Sequence, residues 1–134
     1  MDWNIRKRLA ENEIDFFVDT NVFIYAIEGH SAVDGLLLCS PGISVISEIE
    51  LLGKKGITKR EESDILDLLN GFKIINLDDT IKEIAISLKQ KYTLKASDAI
   101  IAATAKSFNL PLVTADKDFK KIKDVDIVIL DLNK

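Results

Sequence analysis

Four carboxylates occupy places from which the side chains of an α/β sheet converge: Asp19, Glu50, Asp98 and Asp116. Asp19 closes an apolar run, Phe17-Val18-Asp19-Thr20-Asn21-Val22-Phe23, and Asp116 follows another, Leu112-Val113-Thr114-Ala115-Asp116. Glu50 lies one helical turn beyond a third run, within Ser47-Glu48-Ile49-Glu50-Leu51-Leu52-Gly53. Asp98 falls in the first turn of an alanine-rich helical stretch, Ser97-Asp98-Ala99-Ile100-Ile101-Ala102-Ala103. Carboxylates gathered in one place repel each other, and their pKa values rise unless a cation compensates. A hard, oxygen-preferring ion such as Mg²⁺ or Mn²⁺ meets that need. Such an ion activates water and neutralises charge developing on a phosphodiester, so the acids point to phosphate-ester hydrolysis.

The elements that must position them are legible as alternating patterns. Short, nearly continuous apolar runs over residues 15–19, 43–46, 72–77, 112–114 and 127–130 predict strands of a parallel sheet buried on both faces. Helical patterns lie between them, over 61–69 with Gly71 as C-cap, over 80–92 with Asp78 or Asp79 as N-cap, and over 96–108 with Ser97 as N-cap candidate. Leu36 to Leu38 predicts a further short helix. Strands separated by helices make βαβ units, hence a three-layer α/β/α sandwich around a central parallel sheet of four to five strands. In such sheets the functional crevice opens beyond the carboxyl ends of the strands, where the strand order switches. Two of the four acids fall at strand ends and two near helix starts, so one crevice can collect them.

Composition narrows the class. The 134 residues, 47% hydrophobic and 30% charged, suit one globular domain over residues 1–134. No apolar run approaches the roughly 18 residues that cross a bilayer, and the N-terminus has no apolar core of a signal-peptide kind. One cysteine and one histidine exclude an intramolecular disulfide and any cysteine- or histidine-rich metal cluster, which fits a reducing, cytoplasmic setting. The net charge of −4 looks unfavourable for a protein handling nucleic acid. Subtracting the four candidate acids from 22 leaves 18, equal to the 18 Lys plus Arg, so the remaining surface is balanced.

The four motifs, in this order, resemble those of the PIN-domain ribonucleases, and in particular the VapC-type toxins of type II toxin–antitoxin systems. Asp19-Thr20-Asn21-Val22 is similar to the family's opening signature, and Ser47 to Gly53 to its second motif, whose acid aligns with Glu50. Ser97 to Ala105 matches the third, and Leu112-Val113-Thr114-Ala115-Asp116-Lys117-Asp118-Phe119 the fourth. The resemblance implies Mg²⁺- or Mn²⁺-dependent endoribonuclease activity, homodimerisation, and inhibition by a small antitoxin whose tail enters the active-site groove. Asp19, Glu50, Asp98 and Asp116 carry over as the metal-binding, catalytic acids, and Thr20, Asn21, Thr114 and Asp118 as residues supporting them. Compact members place their first acid earlier in the chain than residue 19. The extra segment, residues 1–14, with Trp3, Ile5 and Leu9 at near-helical spacing, predicts a short amphipathic extension.

Each acid also has a plain structural explanation. Asp19 can cap the following helix, Asp98 can favour a helix dipole, and Asp116 can sit in a turn. Glu50, flanked by Ile49, Leu51 and Leu52, would be costly to bury without a partner. Elsewhere, Cys39 is expected to be a small packed residue, and Asp124, Asp126 and Asp131 to face water. His30 is expected at the surface, and Lys117, Lys120, Lys121 and Lys123 form a basic cluster placed to guide an RNA backbone. Two other readings compete: a non-catalytic PIN-like binding module, and a receiver-type signalling domain. The latter ordinarily has paired acids after its first strand, where Asp19 stands alone.

Overall fold

The computed structural model describes residues 13–133. Its strands are β1 (Phe16–Val18), β2 (Pro41–Ser44), β3 (Lys73–Ile75), β4 (Leu112–Thr114) and β5 (Ile127–Ile129). The helices are α1 (Thr20–Ile27), α2 (Val45–Leu52), α3 (Lys59–Leu69), α4 (Asp79–Lys91) and α5 (Ala96–Phe108), with short 3-10 turns at Ser31–Val33, Leu36–Leu38 and Lys117–Lys121. All strand pairs are parallel and the sheet order is β3-β2-β1-β4-β5. The chain runs outward from β1 to β3 and then returns to the other side of β1, so the switch in strand order lies between β1 and β4. The receiver-type order is 2-1-3-4-5, and the receiver reading falls on that difference.

The two-residue period of a strand sends neighbours to opposite faces. Phe17 and Leu112 join the core under α4 and α5, with Ile81, Leu88, Ala102 and Phe108. Phe16, Val18 and Val113 face the other way, onto Val22 and Phe23 of α1, Leu51 of α2 and Ile65 and Leu69 of α3. This is the three-layer sandwich that the alternating patterns predict. The continuous apolar runs did not separate centre from edge. β1, β2 and β4 are fully buried, whereas β3 and β5, at the two margins, are partly open.

Local chemistry sets the element boundaries. The Ser44 hydroxyl accepts the Ile46 N–H at 3.1 Å, so Val45 and Ile46 begin α2 rather than extend the strand expected over 43–46. Thr58 and Glu61 close a reciprocal capping box on α3, and Asp78 accepts the Ile81 N–H at 2.9 Å to start α4. Asn70, not Gly71, caps α3, because its N–H reaches back to Leu66 and Leu68 in a right-handed conformation that needs no glycine. Lys95 rather than Ser97 precedes α5; Ser97 is already inside the first turn. Cys39 is exposed at the end of the Leu36–Leu38 turn, not packed. Asp124 is partly shielded, because Lys91 Nζ at 3.0 Å and the Tyr92 hydroxyl at 3.0 Å both donate to it. The expected helical extension over 1–14 lies outside the described residues as far as 12, and Glu13 and Ile14 are not helical.

One close approach constrains β2. Gly42 pairs with Phe17, and a Cβ there would stand 2.6 Å from Phe17 Cε1 and 2.9 Å from Ile14 Cγ2. The Phe17 ring is 1% exposed and packs 5.1 Å, centroid to centroid, from Phe108 of α5, so it has nowhere to retreat. Gly42→Ala is therefore expected to destabilise the fold by about 1–3 kcal/mol in denaturant unfolding.

Candidate functional site

Asp19 follows β1 directly, and its extended backbone makes it the N-cap of α1. Its Oδ1 accepts the Thr20 N–H at 2.7 Å and its Oδ2 accepts the Thr114 hydroxyl at 2.8 Å. Its own N–H donates to the Val113 carbonyl at 2.9 Å. The carboxylate is thus built into the seam between β1 and β4, where the strand order switches. The capping explanation available from the sequence is correct, but it accounts for only one of the two oxygens. Asp19 is 5% exposed, and burial pushes its pKa above the ordinary range. The two hydrogen bonds pull it down again, and the charges of Asp98 and Asp116 add to the rise.

Thr114 has a second role. Its oxygen accepts the Asp116 N–H at 3.0 Å while its hydrogen goes to Asp19, so one hydroxyl orients two acids. Asp116 in turn caps the Lys117–Lys121 turn, its Oδ1 accepting the Asp118 N–H at 2.9 Å. The Asn21 side-chain carbonyl accepts the Ala115 N–H at 3.2 Å and braces the same segment from α1.

Glu50 is positioned by hydroxyls. Thr20 Oγ1 donates to Glu50 Oε1 at 3.0 Å and lies 2.7 Å from Ser47 Oγ. Thr20 has a single hydroxyl hydrogen, so Ser47 is the donor of the second bond. Ser47 is fully buried on α2 and is the residue that sequence reasoning missed. The available signal was its place three residues before Glu50, on the same helical face. Glu50 itself is exposed, as is Ile49, so the burial argument raised for it does not apply.

Asp98 occupies the first turn of α5, half-buried. Burial raises its pKa most, Lys95 opposes this, and the charges of Asp116, Glu50 and Asp118 raise it further. Acids at the end of β1, on α2 and α5, and in the turn after β4 therefore share one electrostatic neighbourhood. Asp19 is sealed in, while Glu50, Asp116 and Asp118 are open to solvent. Among the described residues no three side chains of His, Cys, Asp or Glu already form a ligand set. The donors are nevertheless all oxygen, which could hold a hydrated ion through one or two carboxylates with waters completing its shell. His30 takes no part: its Nδ1 accepts the Ala32 N–H at 3.2 Å in a turn away from these residues.

The PIN domain family model matches residues 16–125, from β1 to the segment before β5. The chain belongs to the PIN-domain family. This PIN domain is 26% identical to "Ribonuclease VapC2" of Methanocaldococcus jannaschii over 147 positions, covering 92% of this chain and 97% of that protein. It superposes with a TM-score of 0.75 and 33% identity on a chain of a toxin–antitoxin complex from Klebsiella pneumoniae, covering 87% and 98% of the two chains. A chain of VapBC2 from Rickettsia felis, bound to a promoter DNA fragment, gives a TM-score of 0.73 at 25% identity, covering 88% and 100%. The kinship is with the VapC type within the family. No helix among the described residues is long and apolar enough to cross a membrane.

Two outcomes follow for this PIN domain. Thr114→Val strips the buried Asp19 of one donor and the Asp116 N–H of its acceptor, and is expected to lower stability at neutral pH by about 1–3 kcal/mol in urea titration. The pKa of folded Asp98 is raised, so its contribution favours folding below the ordinary aspartate value of 3.8 and is lost as pH rises through the folded value. Asp98→Asn should accordingly raise the thermal midpoint near neutral pH and leave it unchanged in acid, by scanning calorimetry across pH.

Proposed function

We propose that this PIN domain is an endoribonuclease that hydrolyses RNA phosphodiester bonds with Mg²⁺ or Mn²⁺, and that it serves as the toxin of a toxin–antitoxin pair in the cytoplasm. The observation that carries the reading is the sealed Asp19 carboxylate at the β1–β4 switch point, with Asp98, Asp116 and Glu50 close enough to raise acid pKa values there. Carboxylates perturbed by burial and by one another cluster at functional sites, and a strand-order switch is where an open α/β sheet places its ligand crevice. The names of the relatives supply the substrate class and the antitoxin partner, and the family supplies the homodimer.

Asp19, Glu50, Asp98 and Asp116 would hold the metal. When bound, the ion supplies an activated water and neutralises the charge that develops on the phosphate. The protein's own part is orientation. Asp19 is fixed through both oxygens, Thr114 aligns Asp116 with it, and Thr20 and Ser47 hold the Glu50 side chain at the open rim. Asn21 and Asp118 brace the turn that carries Asp116. Such pre-alignment spares the reaction the reorganisation that water would need.

The alternative of a non-catalytic PIN-like module draws support from one observation, the absence of a ready three-residue ligand set among the described residues. One experiment separates the two. Purified chain is incubated with RNA and Mg²⁺ or Mn²⁺, with chelator as control, for wild type, Asp19→Asn and Asp98→Asn. Each substitution is expected to lower the rate by more than about 100-fold, the upper end of what losing a ligand-supporting residue costs. Equal rates in all three proteins would assign the cleavage to a contaminant and favour the binding module.

A further inference from the structure

Lys121 belongs to a basic run that, read as sequence, is placed to steer RNA. The structure uses it differently. Its ammonium donates to the Thr93 carbonyl at 2.7 Å and to Asp118 Oδ2 at 3.0 Å. Its side chain is 34% exposed, against 61%, 57% and 59% for the lysines of the other described ion pairs, Lys54, Lys82 and Lys91. A cation held from two sides and this far withdrawn is poorly placed to meet a phosphate backbone.

What it joins is specific. Thr93 lies in the short connection between α4 and α5, just before the first turn of α5 that carries Asp98. Asp118 lies in the turn capped by Asp116, its N–H bonded to Asp116 Oδ1. No side chain caps the start of α5, so the connection is held instead through its carbonyls, Leu94 by Lys89 at 2.8 Å and Thr93 by Lys121. Of these two lysines only Lys121 comes from the turn that bears the other acid. The charges of Asp116 and Asp118 act unfavourably on Asp98, and that repulsion acts to spread the two segments.

We propose that Lys121 is a positioning residue: by bridging Thr93 and Asp118 it clamps the start of α5 to the Asp116 turn and sets the spacing of Asp98 and Asp116. The effect on catalysis rests on the nuclease reading above; the clamp does not. A misplacement of about 1 Å in a catalytic group can lower a rate about 100-fold, so a clamp outside the chemistry can control it.

The test compares wild type, Lys121→Met and Lys121→Arg by two measurements. The first is amide hydrogen exchange over residues 93–99 in metal-free protein. The second is RNA cleavage with Mn²⁺, read as kcat and KM, together with the salt dependence of RNA binding. Lys121→Met is expected to speed exchange in that segment and to lower kcat by about 10- to 100-fold. KM and the salt slope should stay at their wild-type values, and Lys121→Arg should restore both exchange protection and kcat. Unchanged exchange in Lys121→Met overturns the clamp. So does a raised KM with a salt slope reduced by about one, which is the mark of a lost phosphate contact. A wild-type protein that cleaves no RNA overturns the nuclease reading alone, and the exchange result then decides the clamp by itself.

Discussion

A carboxylate that is 5% exposed at the end of a strand places a demand that the neighbouring chain must meet. Left with only water-poor surroundings, an ionised Asp19 would be intolerable; with two donors it is merely expensive. The Thr20 N–H comes free with the first turn of α1, since helix starts always present unpaired donors. The Thr114 hydroxyl has to be brought from β4, and that requires β4 to lie beside β1 in the observed register. Burial still outweighs both bonds in its effect on Asp19. Asp19 is thus held at the strand-order switch with a burial cost that its two donors offset only in part.

Around that anchor the acids are aligned mainly by small hydroxyls. Thr114 serves Asp19 and Asp116; Thr20, backed by Ser47, serves Glu50. Such short side chains lose little rotamer freedom when fixed and leave the carboxylates accessible. Chained bonds of this kind also polarise one another, which favours a single arrangement. The exposed ion pairs elsewhere, Lys54 with Glu61 and Lys82 with Asp79, are of another order, since pairs in solvent contribute about 0–1 kcal/mol. Lys121 stands between the two classes, half-withdrawn and doubly bonded, which is why its neighbours in the basic run do not predict its role.

Much of the architecture was legible because its signals are local. The apolar runs locate all five strands to within a few residues, and Asp78 and the alanine-rich stretch mark where α4 and α5 lie. Errors arose where a local signal had two readings. Val45 and Ile46 suit a strand by side chain, but the Ser44 hydroxyl captures the Ile46 N–H and starts a helix. Ser97 suits a cap by residue type, but the helix begins one residue before it. The run of β5 is as apolar as those of the central strands, so residue type alone does not place it at the margin, whereas the exposed Lys73 in β3 is the kind of residue an edge strand carries.

The sequence by itself determined the order of the four acids, the placement of Asp19 and Asp116 after strands, of Asp98 in a first helical turn and of Glu50 a turn further along its helix, and hence their membership in a PIN-domain pattern. These are properties of short segments, fixed by periodicity and capping. Only the tertiary structure decided that Asp19 is sealed while Glu50 is open, that Ser47 supports Thr20, and that Lys121 is bonded rather than free. Thr114 and Asp19 are 95 residues apart, and their hydrogen bond exists because the chain returns past β1 to lay β4 against it. Which strand returns to which neighbour is set by the packing of the whole domain, and no local pattern of residues encodes it.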